Sequence, residues 1–436
     1  MVAVDAAQRI ACGDIISKQL VMDCLQRIED RDTEIGAWKF IDPDYAIEQA
    51  NECDDGLRSG PLLGVPIGIK DNFDTKDMPT EYGTSIYSAH QPTADTLTVE
   101  NLRKAGAVIL DKTVTSEFAG PYPGATLNPH DTSRTLGVSY MGSAASVADV
   151  VTPLANGTQT GGSVIRPASL CGIYGYKGSF NHLNSAGVRH IKPSIDTLGH
   201  FGRSLDDIEL MRSVLVDEEF VPLPTLSAPP RIGICRTSQW HAAKEETVEM
   251  IKFCESRLIE AGAQIIEVSL PEPFKHVMER SFDVIRMREY LVVHDFEIRN
   301  RFEIFNPWFQ DAVKQARSYS EADFEEALEE ATAVRSLLAE IFGSLDILLT
   351  PSALGIATSD LFLIEPNNFN YLWTLMYTPC INLPAFKGPY GLPVGLQVIG
   401  PRNADRKTLE YAHWLDNAVK MIAGEYPVDL VKAVRA

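Results

Sequence analysis

Apolar positions recur along this chain in two rhythms, one helical and one strand-like. Residues 15–30 place Ile16, Leu20, Cys24, Leu25 and Ile28 on one face at helical spacing, which predicts an amphipathic helix. A second, more polar helix is predicted over 44–57. The run Leu62-Leu63-Gly64-Val65-Pro66-Ile67-Gly68-Ile69 is short and apolar throughout, reads as a buried strand, and ends on Lys70. Residues 95–105 predict a helix leading through Gly106 into a strand at 107–111. Further on, Arg231–Arg236 reads as a strand, 244–261 as a helix and Gln264–Val268 as another strand. From 273 to 343 the pattern is almost wholly helical. Strands resume at 346–350, 380–386 and 394–399, before a last helix over 404–420. This β-α-β rhythm implies a parallel or mixed sheet covered by helices. Strands on both sides of a helical insertion at 273–343 favour one large α/β domain, residues 1–436, over a tandem pair.

One stretch escapes both rhythms. Thr135 to Cys171 is rich in Gly and Ser, yet Val138, Tyr140, Met141, Val147, Val151, Leu154, Val164 and Ile165 interrupt it throughout. A flexible linker lacks such residues and a buried loop system needs them. Within it, Gly142-Ser143-Ala144-Ala145 suits the start of a closely packed helix. Gly161-Gly162-Ser163 suits a tight turn whose successive N–H groups converge on one point, as a developing oxyanion requires.

Composition narrows the classes. With 45% hydrophobic and 22% charged residues the chain is of the soluble globular type. Its net charge of −20 argues against nucleic-acid or anionic-membrane partners. The densest acidic patch, Glu321 to Glu330, is expected on a solvated helix face. The seven cysteines are scattered, odd in number and never in a C-x-x-C pair, which argues against a disulfide framework or a cysteine zinc site. The start Met1-Val2-Ala3-Val4-Asp5 lacks the basic and apolar regions of a secretion signal, so a reducing, cytoplasmic location is expected.

Three residues stand out chemically. A serine nucleophile needs a base near neutral pH. No histidine is placed by local sequence to serve. Lys70 becomes a base if burial lowers its pKa from about 10.4, and a second hydroxyl can relay the proton. Lys70, Ser139 and Ser163 make such a chain.

Here the motifs coincide with a known pattern. Gly64-Val65-Pro66-Ile67-Gly68-Ile69-Lys70-Asp71-Asn72, then Gly137-x-Ser139-x-x-Gly142-Ser143, then Gly157-Thr158-Gln159-Thr160-Gly161-Gly162-Ser163 resemble the amidase-signature family. Leu102 to Thr113, Ser116 to Ala119 and Leu392 to Pro401 are similar as well. The resemblance covers most of the chain and is weakest over 273–343. It implies a mixed sheet with helices on both faces and a Ser-cis-Ser-Lys triad cleaving amide bonds through an acyl-enzyme. Lys70 falls on the base, Ser139 on the bridging serine and Ser163 on the nucleophile. Thr160, Gly161 and Gly162, with Ser163, fall on the oxyanion hole. The resemblance implies no metal and no cofactor.

Two departures bear on the site. Gln159 stands where the family has aspartate, and the arginine that follows the nucleophile comes one place late, at Arg166. An Asp–Arg pair supporting the loop is therefore lost or rebuilt with a neutral partner. Val138, Tyr140 and Met141 replace small residues and reshape the pocket. Ala119, Tyr140 and Met141 are expected to touch substrate, and the helical insertion brings many aromatics. No basic cluster stands out in the sequence to hold a carboxylate. These features favour a neutral aryl amide or carbamate, hydrolysed by a monomer or homodimer acting as an amidase or urethanase on a small molecule. The alternatives are an allophanate or small-acid amide hydrolase, and a transamidation subunit that needs a partner protein.

Overall fold

The strand ending on Lys70 has no polar face to offer water, and it lies inside an eleven-stranded sheet. The computed structural model describes residues 1–122, 124–136, 141–363, 365–366 and 369–423. In chain order the described strands are β1 Trp38–Phe40, β2 Pro66–Lys70, β3 Val108–Thr113, β4 Leu127–Asn128, β5 Asp131–Thr135, β6 Leu154–Gln159, β7 Tyr174–Lys177, β8 Thr197–Gly202, β9 Ile232–Ile234, β10 Ile265–Glu267, β11 Ile347–Pro351, β12 Cys380–Lys387 and β13 Pro393–Ile399. β4 and β5 form a separate hairpin. The others order as β1-β3-β2-β6-β8-β7-β12-β13-β11-β9-β10, a mixed sheet in which β3-β2-β6 and β11-β9-β10 pair in parallel while the edge strand β1 and the middle strands pair antiparallel.

Alternate side chains of the strands feed cores on opposite faces. Ile67, Ile69, Ile109, Leu349 and Leu396 pack with the helices Ala3–Ala11, Leu97–Lys104, Leu205–Leu215, Glu245–Glu260 and Asp405–Ala423. Val108, Leu110 and Ala155 point the other way, into the helices Ser17–Ile35, Pro43–Asp54, Met141–Ala148 and Ile165–Cys171. Leu348 and Ile399 meet the helical insertion on that same side. The chain is thus a single α/β domain with a mixed central sheet covered on both faces.

The helix ends follow their capping chemistry. The first long helix runs on to Ile35, where Gly36 takes φ 65°, an angle that glycine adopts without strain. The next begins at Pro43, because the Asp42 carboxylate accepts from the Tyr45 N–H at 3.1 Å. The insertion breaks into the helices Glu272–His276, Phe282–Val293, Asp295–Asn300, Pro307–Ala316 and Glu321–Ile341. Glu321, Glu325, Glu326 and Glu329 are exposed on the last of these, where the acidic patch was expected.

Three central strands carry no apolar run and are not predicted by pattern: β6 (LANGTQ), β7 (YGYK) and β8 (TLGHFG). All three are buried along their whole length, and their polar side chains are held by specific partners. Asn156, for one, accepts the backbone N–H of Lys70 at 2.8 Å, tying β6 to the end of β2.

Most of the described part of the Gly-Ser stretch is core, as its apolar residues imply. The helix Met141–Ala148 is buried at every position. At Gly142 a Cβ would lie 2.4 Å from the carbonyl oxygen of Ala37 and the backbone nitrogen of Val114, so only glycine permits this docking. Ser143 then reaches Thr113 at the end of β3, hydroxyl to hydroxyl at 2.6 Å. Val138, Ser139 and Tyr140, with the peptide bond expected to be cis, lie outside the described residues.

Candidate active site

β2 and β6 run parallel, with Ile67 opposite Leu154 and Gly68 opposite Ala155. The C-terminal ends of the two strands therefore come out side by side, and Lys70 and the Thr160–Ser163 turn follow from them. Lys70 ends β2 with no exposed surface, its Nζ 3.3 Å from the Thr158 hydroxyl on β6. Burial pushes the Lys70 ammonium well below the usual lysine range; Asp196 and Asp71 oppose this and Lys192 adds to it. Asn72 shares the Thr158 hydroxyl at 3.4 Å.

Just past β6 the chain turns through Thr160, Gly161, Gly162 and Ser163 into the helix Ile165–Cys171. Gln159 organises this turn. Its side-chain carbonyl accepts the N–H groups of Val164 at 2.9 Å and Ile165 at 3.0 Å, while its amide donates to Thr374 at 3.1 Å. The departure from aspartate is a neutral cap. Arg166 takes no part in it and donates instead to the Glu365 carbonyl at 2.6 Å.

Thr160 is fastened from below. Its hydroxyl donates to Asp196, whose other oxygen accepts the N–H groups of Ile191 at 2.7 Å and Lys192 at 3.0 Å. Burial alone would raise the Asp196 carboxyl. The hydrogen bond from His190, the charge of Lys192 and the Thr160 hydroxyl outweigh it and hold the group at about 2. Asp196 thus acts electrostatically on Lys70 while bonding the turn that presents Ser163.

Ser163 faces a cavity of about 460 Å³, and Thr160, Gly161 and Ala119 line it as well. Gly162 is buried behind them. From the helical insertion come Phe282, Tyr290 and Trp308, joined by Tyr371, whose ring stacks on Phe282 at 4.8 Å between centroids. Met141, expected at the substrate, is buried in the core close to Gly124, at the start of a helix that packs against the sheet.

The sequence shows no basic cluster, yet basic side chains meet at the cavity. Arg166, Lys192 and Arg286 all line it, alongside Glu279, Asp283 and Glu365. They come from three distant parts of the chain, so no cluster shows in the sequence. Asp196, just before β8, and Thr158, within β6, were missed for the same reason: their partners Thr160 and Lys70 come from other parts of the fold. Among the described residues no group of three His, Cys, Asp or Glu side chains could hold a metal ion.

The amidase family description matches residues 19–409. The chain belongs to the amidase family. Among curated relatives, a glutamyl-tRNA(Gln) amidotransferase subunit from Chloroflexus aggregans is 30% identical over 454 residues, covering 92% of each chain. A solved amidase is 27% identical with a TM-score of 0.87 and covers 95% of this chain and 99% of its own. A protein solved in work on a vestigial complex and the origins of an s-triazine catabolic enzyme is 25% identical with a TM-score of 0.87, over 98% and 99% of the two chains. This amidase-family chain is accordingly an enzyme of amide C–N bond chemistry, hydrolytic or transferring. Among its described residues no helix is long and apolar enough to cross a membrane.

Proposed function

We propose that this amidase-family enzyme hydrolyses amide or carbamate C–N bonds through an acyl-enzyme on Ser163. The single observation that carries the reading is the Lys70 amine, wholly buried and held below its ordinary pKa beside the strand that delivers the Ser163 turn. A neutral amine accepts a proton and a charged one does not. Ser163 Oγ attacks the carbonyl carbon as its proton passes through the Ser139 hydroxyl to Lys70. The N–H groups of the Thr160–Ser163 turn bind the oxyanion. The C–N bond then breaks, and the departing nitrogen takes the proton back along the same path. Water, deprotonated by the same relay, attacks the acyl ester and frees Ser163.

The aromatic wall of Phe282, Tyr290, Trp308 and Tyr371 supports an aryl amide or aryl carbamate, whose ring stacks there. Three cations and three carboxylates border the cavity, so its lining does not by itself require a neutral substrate. Incubating the protein with an anilide and weighing it intact tests the reading. A mass increase equal to the acyl group, absent in Ser163→Ala, is the expected result; turnover by Ser163→Ala overturns it.

A second reading rests on the relatives that carry the name of a glutamyl-tRNA(Gln) amidotransferase subunit. In it the same acyl-enzyme chemistry releases ammonia for a partner protein. Stable co-purification with a second protein, and amide cleavage that rises when it is added, would favour this reading.

A further inference from the structure

Of the three cations on the cavity wall, two are answered from within the protein. The Arg286 Nε donates to Asp283 at 2.6 Å, and an Arg166 amine donates to the Glu365 carbonyl, while Glu365 also pairs with Lys244 at 2.9 Å. Lys192 differs. Only 4% of it is exposed, and no carboxylate among the described residues lies within ion-pair distance of its ammonium. Its contact there is the face of Tyr290, 4.3 Å from the ring centroid. The nearby Asp196 is committed to Thr160 and to two backbone N–H groups, one of them that of Lys192 itself.

Asp196 and Glu289 act on this buried ammonium only from beyond ion-pair distance, its close contact being a ring face, so a ligand that pairs with it directly gains. The ammonium lines the same cavity as Ser163. The Arg166 Nε, also buried on that wall, has no hydrogen-bond partner among the described residues. A dianion would meet Glu279, Asp283 and Glu365 on the opposite account, so a single negative charge fits better.

Resting on the cavity being the substrate site, we infer that Lys192 is a specificity-determining residue that pairs with a carboxylate on the substrate, so that the preferred amide or carbamate is an acidic one. The carboxylate meets the ammonium in the cavity, and the Tyr290 ring lies against the same amine.

Binding tests this without needing turnover, and so separates it from the hydrolysis mechanism. Benzoate and benzamide are titrated calorimetrically into Ser163→Ala, which cannot react. Benzoate is expected to bind at least tenfold tighter than benzamide, roughly 1.4 kcal/mol. Adding Lys192→Met should reduce that ratio to near one, and adding Lys192→Arg should retain most of it. Equal binding of the two probes, no measurable benzoate binding, or a preference that survives Lys192→Met each overturns the inference. The first two need no Lys192 variant, so a misfolded Lys192→Met protein leaves the test intact.

Discussion

The side-chain carbonyl of Gln159 lies 2.9 Å from the backbone nitrogen of Val164 and caps the turn on which Ser163 sits. Because it also accepts from Ile165 at 3.0 Å, one oxygen satisfies two buried donors at the start of a helix. Leucine has similar bulk and no acceptor, so Gln159→Leu leaves both donors unsatisfied. We expect a loss of about 2–4 kcal/mol and a tenfold or greater fall in kcat, since the oxyanion donors shift with the turn. Gln159→Glu keeps the acceptor and should retain most of the stability. Thermal unfolding of the two variants against the parent checks this; equal melting temperatures would show that the cap contributes little.

Removing Ser163 and removing Lys70 should look alike. If both act in one proton-transfer unit, Ser163→Ala abolishes turnover and Lys70→Met comes close to doing so. The double variant should then be no worse than Ser163→Ala alone. Ser139→Ala should be milder, because a water can occupy the place of a relay hydroxyl. Additive losses in kcat/KM across these variants would show independent roles and defeat the shared unit.

How much of this was legible in the sequence depended on how local each signal is. Lys70 closes an apolar run and Ser163 closes a glycine turn, so both could be read from their neighbours. β6 and β8 could not, because Asn156, Thr158 and His200 are polar residues buried by contacts with distant chain. His200 meets the Ile208 carbonyl of the helix that follows at 2.8 Å, and burial holds its imidazole down at about 4. The cations of the cavity were invisible for a further reason. Arg166, Lys192 and Arg286 become neighbours only once the sheet has ordered the chain around one strand end.

The pH profile should follow Lys70. Its folded pKa is lowered, so it is charged and inactive in acid and becomes neutral as pH rises through that lowered value. Activity should therefore climb with pH and level off well before 10.4, the ordinary lysine value. Asp196 and Asp71 pull the transition upward and Lys192 pulls it downward. Lys192→Met should accordingly move the rising limb of kcat/KM for a neutral anilide to higher pH. A flat profile from mildly acid to mildly alkaline conditions would remove Lys70 as the base.

The aromatic wall makes the last prediction. Trp308 lines the cavity and meets Tyr290 edge to face at 5.8 Å, so a substrate ring entering there finds large, positioned surfaces. Acetamide offers only a methyl group to the same wall. A neutral anilide should therefore exceed acetamide in kcat/KM by at least tenfold, about 1.4 kcal/mol of differential transition-state binding. Trp308→Ala should raise KM for the anilide several-fold while leaving acetamide almost unchanged, because only the ring loses a contact. The comparison uses uncharged substrates, so it stands apart from the Lys192 carboxylate. If Trp308→Ala slows both substrates equally, Trp308 supports the fold of the insertion and does not touch the ring.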